Sequence, residues 1–263
     1  MFHIKRYEYI LQSTIEVMNG VELNARYALM PNKLGFCGTK NFKKAFTDYL
    51  EGKATAEALE EELRKLHTSF AYLNLIANAN KKEPFDLEVV EAYWIGNEFL
   101  ENVEFAKLQQ FFYERLVENE VSKDKADKLA NNLPLEAIAH HSFHAFIERS
   151  LIETPMSIIT TINTMNNCRI GWGQIKEVSD ETLKIKSSKL MYNTDKKTIE
   201  LTVGYEETFH KVGEFKSINE PRIGDWISTH WRLAVQKLDN GPLRDLATCT
   251  GRNITALNKL KVK

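Results

Sequence analysis

Apolar positions recur at helical spacing from the N-terminus to about residue 166. Ile4, Tyr7, Ile10, Leu11, Ile15 and Met18 share one face of a helix over 4–18, which Gly20 ends or interrupts. A short helix over 22–29 closes at Pro31. Thr39 is placed to cap a helix that buries Phe42, Phe46, Tyr49 and Leu50, with Gly52 as its terminator. Thr55 opens a long helix with Leu59, Leu63, Leu66, Phe70 and Leu73 inward; Glu57, Glu60, Glu61 and Glu62 suit the positive end of its dipole. Pro84 and Asp86 begin a helix over 87–95 that Gly96-Asn97 stops, and helices over about 104–119 and 122–131 follow, the second capped by Ser122. Pro134 opens a helix running to Arg149, and Thr154-Pro155 opens another with Ile158, Ile159, Ile162 and Met165 on one face.

After Asn167 the period changes. Ile175 and Val178, then Leu183 and Ile185, then Ile199, Leu201 and Val203 sit in short runs among polar residues, with turn formers at Asp180-Glu181 and Asn193-Thr194-Asp195. About five short antiparallel strands in some 70 residues suit a small closed barrel. Pro242 then opens a final helix carrying Leu243, Leu246, Ile254 and Leu257. The expected class is α+β: an all-α N-terminal helical domain over 1–166, then a small antiparallel β-barrel with a C-terminal helix over 167–263.

Composition narrows function mostly by exclusion. With 35 basic against 36 acidic side chains, the 263-residue chain has neither the basic excess of a nucleic-acid groove nor a polybasic membrane patch. No run approaches the roughly 18 apolar residues of a membrane span, and no cleavable leader is expected. Cys37, Cys168 and Cys249 are an odd set without a CxxC, so reduced thiols in a cytoplasmic protein are expected. Nucleophile-elbow, phosphate-loop and dinucleotide fingerprints are absent.

Two constellations could carry chemistry. Cys168, read as the mouth of a strand, and His230, at the end of another, would meet if both strands belong to one barrel. A thiolate with an imidazole suits a borderline or soft metal; the alternative is a small buried hydrophobe beside a core histidine. On the helix opened by Pro134, Glu136, His140, His144 and Glu148 fall four residues apart along one stripe. His140 with His144 is an i, i+4 chelating pair, and His141 with His144 is the alternative. Such a metal needs a ligand from elsewhere, for which Glu91, His67 and Cys37 are candidates. Cys37, between Gly35 and Gly38, is either an accessible loop thiol or part of a tight turn. Arg26 is expected to pair with Glu91.

Cys168-Arg169-Ile170-Gly171-Trp172-Gly173-Gln174-Ile175 resembles the opening signature of the HypC/HupF hydrogenase-maturation chaperones. Gly224-Asp225-Trp226-Ile227, reaching His230 and running on to Asp239, resembles their second signature. The resemblance covers residues 168 to about 239. It implies an OB-like, oligonucleotide-binding-type barrel in which Cys168 is the iron or partner thiol and His230 a nearby ligand or orienter. The implied role is an accessory protein for nickel-iron hydrogenase maturation that handles an iron centre or its diatomic ligands. Its implied partners are a maturation scaffold or the hydrogenase large subunit. A metal-dependent enzyme centred on the His140/His144 helix and a metal-free protein-binding module are the alternatives. The whole chain also resembles an uncharacterised bacterial and archaeal family, through Arg26-Tyr27-Ala28, Leu34-Gly35-Phe36-Cys37-Gly38, Glu91-Ala92-Tyr93-Trp94-Ile95-Gly96-Asn97 and His140-His141-Ser142-Phe143-His144. That second resemblance implies no activity.

Overall fold

The structure, a computed structural model, describes residues 18–152 and 158–260. The helix expected over 4–18 lies almost wholly outside them, as do Thr154 and Pro155. Helices fill the N-terminal part: α1 (Gly20–Lys33), α2 (Phe42–Leu50), α3 (Ala56–Arg64), α4 (His67–Asn80), α5 (Leu87–Trp94), a 3-10 turn (Glu98–Asn102), α6 (Phe105–Glu118) and α7 (Lys123–Asn131). A three-part helical stretch follows, α8, formed by His141–Phe143, a π turn His144–Glu148, and Arg149–Ile152, and then α9 (Ile158–Cys168). The strands are β1 (Gly171–Val178), β2 (Thr182–Asn193), β3 (Thr198–Phe209), β4 (Lys211–Val212), β5 (Phe215–Lys216), β6 (Trp226–His230) and β7 (Leu233–Lys237), before the closing α10 (Asn240–Lys259). The class is α+β, as expected. No helix of the described residues is long and apolar enough to cross a membrane.

Five strands pair in the order β1-β2-β3-β7-β6, and β6 returns to β1, so the sheet closes on itself. Its pairs are antiparallel apart from β3 with β7, which meet in parallel at Phe209 and Leu233. The interior holds Ile175, Leu183, Ile185, Ile218, Ile227 and Ala234. Gly171 allows the closure: a Cβ there would lie 2.5 Å from Thr229 Oγ1 on β6. Leu201 and Val203, expected as strand apolars, face outward and are exposed.

A larger apolar core runs through the helices and onto the outside of this sheet, joining Tyr27, Tyr93 and Trp94 to Trp172, Leu190 and Leu233. The Tyr27 and Ser228 hydroxyls meet at 2.8 Å across that junction.

Several helix boundaries differ from expectation, each for a tertiary reason. Gly20 begins α1 instead of ending a helix; Asn19 caps it, accepting from Glu22 N–H at 2.8 Å, and Pro31 sits inside its last turn. The long helix expected from Thr55 breaks at Leu66, whose φ of −79° and ψ of 68° lie outside the helical region, so α3 and α4 pack as separate helices. Arg26 pairs with Glu22 at 2.6 Å and donates to the Ser217 carbonyl, not to Glu91. The correction that matters most concerns Pro134, which opens no helix. Asn253 on α10 donates to the Ile138 carbonyl at 3.2 Å and accepts from its N–H at 3.0 Å. With those backbone groups satisfied from outside, the chain stays non-helical to His140, which caps α8 by accepting from Ser142 N–H.

Candidate metal centre

Ending the loop at His140 rotates the histidines apart. His140 becomes a structural residue: Nε2 donates to the Trp94 carbonyl at 3.1 Å, leaving Nδ1 to accept from Ser142 N–H at 3.1 Å. Burial, with His141 beside it, lowers its pKa to about 3, so it is neutral. Glu136 lies on the surface, paired with Lys259 of α10. The stripe Glu136–His140–His144–Glu148 therefore does not exist as one helix face.

His141 instead turns inward beside Cys168 and His230. Among the described residues these three form the group whose ligand atoms all lie within 4.8 Å of one another, and all three are buried. Cys168 Sγ stands 4.0 Å from His141 Nε2. Cys168 is the last residue of α9, not the mouth of a strand. Arg169 fixes the bend that follows: buried and above the Trp172 ring at 5.2 Å, it donates to the Ile170 and Ser188 carbonyls and to Asn166. Burial lowers even this guanidinium, to about 10.

His230 is delivered by the β6–β7 turn, in which Trp231 and Arg232 both take positive φ, 48° and 62°. Two-residue hairpin turns of this hand favour Asn-Gly, so two bulky residues here hold backbone strain. Trp231 N–H donates to the Asn167 carbonyl at 3.0 Å, tying this turn to the end of α9 next to Cys168.

The tautomers follow from the partners, because a carbonyl only accepts. His230 Nδ1 donates to the Tyr27 carbonyl at 2.6 Å, which leaves Nε2 a bare lone pair. That buried nitrogen has no hydrogen-bond partner among the described residues. His141 Nε2 donates to the Cys168 carbonyl at 2.7 Å while Nδ1 meets the Tyr93 hydroxyl at 2.9 Å. A tyrosine hydroxyl both donates and accepts, so Tyr93 also supports the opposite tautomer, with Nε2 free to bind an ion. Burial, only partly offset by Cys168, lowers His141 to about 4 and keeps it neutral, the form that ligates.

A charged group lies behind the three. Glu148, fully buried, accepts from the Tyr72 hydroxyl at 2.6 Å and from Arg115 at 3.0 Å, and faces His144 Nδ1 at 3.3 Å. Burial works against the Glu148 charge, but His144 and Arg115 outweigh it and hold the carboxyl at about 2. Burial likewise opposes the His144 charge, yet Glu148 and then Cys168 lift the imidazole to about 10. Burial alone would raise the Cys168 thiol; hydrogen bonding by His141 and then His144 outweighs it and holds the thiol well below its usual range. The π turn over His144–Glu148, a local irregularity often found at functional sites, sets this pair behind the cluster.

A cavity of about 370 Å³ opens over the cluster. Cys37 and His67 line it, as do His144 and Trp231, whereas Glu91 and His140 do not. Phe36 closes part of the outer side, stacked on Trp231 with ring centroids 4.2 Å apart. Trp94 packs on both imidazoles, 4.5 Å from His141 and 5.4 Å from His230. Cys168 is thus 4% exposed but meets an internal space. The sequence offered His141 only as an alternative partner of His144, and gave no sign of Tyr93 as the support of His141 or of Tyr27 as that of His230.

The set fits a transition metal. Two imidazole nitrogens and a thiolate suit zinc and other borderline ions, and ligands about 2.0–2.3 Å from an ion stand about 3.3–3.7 Å apart. The observed spacing, within 4.8 Å, requires contraction of about 1 Å. A family model described as "Family of unknown function (DUF6390)" matches residues 16–263, so the chain belongs to that family. No curated protein and no solved structure matched.

Proposed function

We propose that this DUF6390 protein is a metal-dependent enzyme in which His141, Cys168 and His230 hold one divalent transition-metal ion at the floor of a small-molecule cavity. The observation that carries the reading is the buried, unpartnered Nε2 of His230, aimed at a thiol and a second imidazole. Leaving such an atom unpaired is costly unless a ligand takes it. Three protein ligands leave a fourth position open, as in catalytic and not structural sites. An ion there would supply Lewis acidity to a water or a substrate oxygen. His144, oriented by Glu148, stands beside the cluster as the group able to hold and move a proton.

The test is titration of chelator-treated protein with Co2+, followed by its thiolate charge-transfer absorption. Wild type should take up one equivalent, and Cys168→Ser should abolish the charge-transfer band. His230→Ala should weaken binding by at least tenfold, the low end of what even outer supports of a metal site contribute. Failure of the wild type to bind, or indifference to both substitutions, rejects the reading.

A second reading is the hydrogenase-maturation role, with iron as cargo, a maturation scaffold or the hydrogenase large subunit as partner, and the five-stranded sheet as the counterpart of the chaperone barrel. It is supported by the proximity of the two residues that the resemblance pairs, Cys168 and His230. It asks more of the molecule, because a thiol 4% exposed must be uncovered before it can pass cargo to another protein. Iron content after anaerobic purification, with partner capture that is lost in Cys168→Ser, would favour it over the enzyme; capture indifferent to that change would reject it.

A further inference from the structure

In the empty centre the proton of His141 stands on the nitrogen that an ion would need. Nε2–H donates to the Cys168 carbonyl at 2.7 Å, and the same nitrogen lies 4.0 Å from Cys168 Sγ. Nδ1 is therefore bare, and the Tyr93 hydroxyl donates to it at 2.9 Å. To ligate beside Cys168, Nε2 must be bare instead, and the neutral ring then carries its proton on Nδ1. The change leaves the charge of the ring untouched: one proton departs from Nε2 and one arrives at Nδ1. Facing an Nδ1–H, the Tyr93 oxygen becomes the acceptor, and its own O–H is released. The ring itself has nowhere to go. Tyr93 is fully buried, stacked on Tyr72 with centroids 5.3 Å apart and edge-on to Trp94 at 4.7 Å. Only the hydroxyl proton can turn, about its C–O bond. His141 is the hydroxyl's hydrogen-bond partner among the described residues, so the turned proton needs an acceptor from elsewhere, and a buried O–H left without one is costly. Tyr93 lines the cavity of about 370 Å³ together with His141, Cys168 and His230, so its hydroxyl and the centre share that space.

We propose that Tyr93 is a catalytic residue of this centre: once His141 carries its proton on Nδ1, the Tyr93 O–H turns into the cavity and donates to an oxygen of the substrate, which is a small molecule presenting a carbonyl-type oxygen. This rests on the metal reading, because only a ligating Nε2 calls for the change. The hydroxyl then does two things with one oxygen. It accepts from His141 Nδ1–H, which holds the ligating ring in place, and it donates to the substrate oxygen, which that first bond makes it better able to do. A donor fixed beside a developing negative charge is the arrangement that stabilises an oxyanion. In the empty centre the same hydroxyl is committed to Nδ1, so the oxygen site is formed only when the centre is loaded.

Two measurements test it, neither of them activity. The first is 15N NMR of the histidine rings in chelator-treated and Zn2+-loaded protein, with the His141 signals assigned by their loss in His141→Ala. His141 should be protonated at Nε2 without Zn2+ and at Nδ1 with it. The second compares wild type with Tyr93→Phe, both loaded with Co2+, as acetate or imidazole is added and the visible spectrum is followed. Acetate brings an oxygen that accepts from Tyr93, whereas imidazole, bound through one nitrogen, offers only an N–H. Tyr93→Phe should weaken acetate binding about tenfold or more, the worth of a hydrogen bond to a charged acceptor, and leave imidazole binding unchanged. Loss of the bond to His141 should also lower Co2+ affinity about tenfold to a hundredfold. A merely structural tyrosine would shift acetate and imidazole alike, and that result overturns the proposal. So does a His141 ring that keeps its proton on Nε2 in Zn2+-loaded protein. Should Tyr93→Phe fail to fold, the His141 measurement carries the test alone, since without that change the hydroxyl stays committed to Nδ1. Wild type that takes up neither ion removes the metal reading and this inference with it; uptake with either overturning result removes this inference and leaves the metal reading standing.

Discussion

Replacing Glu148 by Gln should cost the metal-free protein about 3 kcal/mol of stability near neutral pH, and should flatten its stability profile at both ends. The carboxyl is held at about 2 against an ordinary 4.5, and at about 1.4 kcal/mol per pH unit that difference amounts to about 3 kcal/mol. Removing one partner of a buried ion pair typically costs about 3–5 kcal/mol. The lower end applies here, because Arg115 keeps a second carboxylate, Glu118, at 2.8 Å, and His144 can shed its proton. The signs follow from linkage. A depressed carboxyl contributes stability that is complete above 4.5 and is lost as pH falls toward 2. A raised imidazole contributes stability that is complete below 6.5 and is lost as pH rises toward 10. Both belong to one ion pair and are not summed. Urea unfolding of chelator-treated protein between pH 3 and 10 reads both limbs, with the slope against denaturant checked for constancy. A Gln variant within about 0.5 kcal/mol of wild type, with the same acid limb, would mean that Glu148 is not an ionised, paired carboxylate, and the account of the charged group behind the cluster would fall.

Lys81, at the C-terminal end of α4, takes φ 55° and ψ 47° and is exposed. Lys81→Gly should raise stability by about 0.5–1 kcal/mol, read as a melting temperature about 1–3 °C higher. Gly96→Ala meets both a φ of 99° and a Cβ only 2.5 Å from Cys249 Sγ, and should lose about 1–3 kcal/mol. Adding Cys249→Ala should recover the steric part and leave the backbone part, so additive losses in a double-mutant cycle would reject the contact. His140→Ala should destabilise by about 2 kcal/mol or more, because it strips buried partners from Ser142 and Trp94, while Co2+ stoichiometry stays at wild-type level. A loss of Co2+ binding in folded His140→Ala would restore that residue to the site.

What could be read from the chain was whatever depends on local period. The change from helical to alternating spacing falls between the end of α9 at Cys168 and the start of β1 at Gly171. Most helices from 42 onward begin within a few residues of their expected caps. The His140 stripe failed because counting by fours presumes an unbroken helix. That presumption was removed by Asn253, a residue 115 positions away that satisfies the backbone of Ile138. No local pattern carries such a bond. A similar long-range effect opens α1 at Gly20, where a Cβ would lie 2.1 Å from the Phe85 carbonyl oxygen, so a residue that read as a stop is a point of close approach.

The site shows the same division. Cys168 and His230 could be paired from their positions in the chain, but what orients them could not. Tyr93 and Trp94 read as a core plug, and they are one: both are buried and packed on neighbouring rings. Yet the Tyr93 hydroxyl also holds the His141 ring in place through Nδ1, and the Trp94 carbonyl accepts from His140 Nε2–H. Tyr27 does the same for His230 through its backbone, which no side-chain pattern encodes. The Trp231-Arg232 turn is the clearest case. Neither residue is a turn former, so the segment read as strand reaching a histidine; the left-handed backbone of both is held there by the Asn167 carbonyl and by the Phe36 stack. The strain at that turn keeps His230 aimed at Cys168 and Trp231 across the mouth of the cavity. An unstrained Asn-Gly would form the same hairpin and leave the cavity without its outer wall.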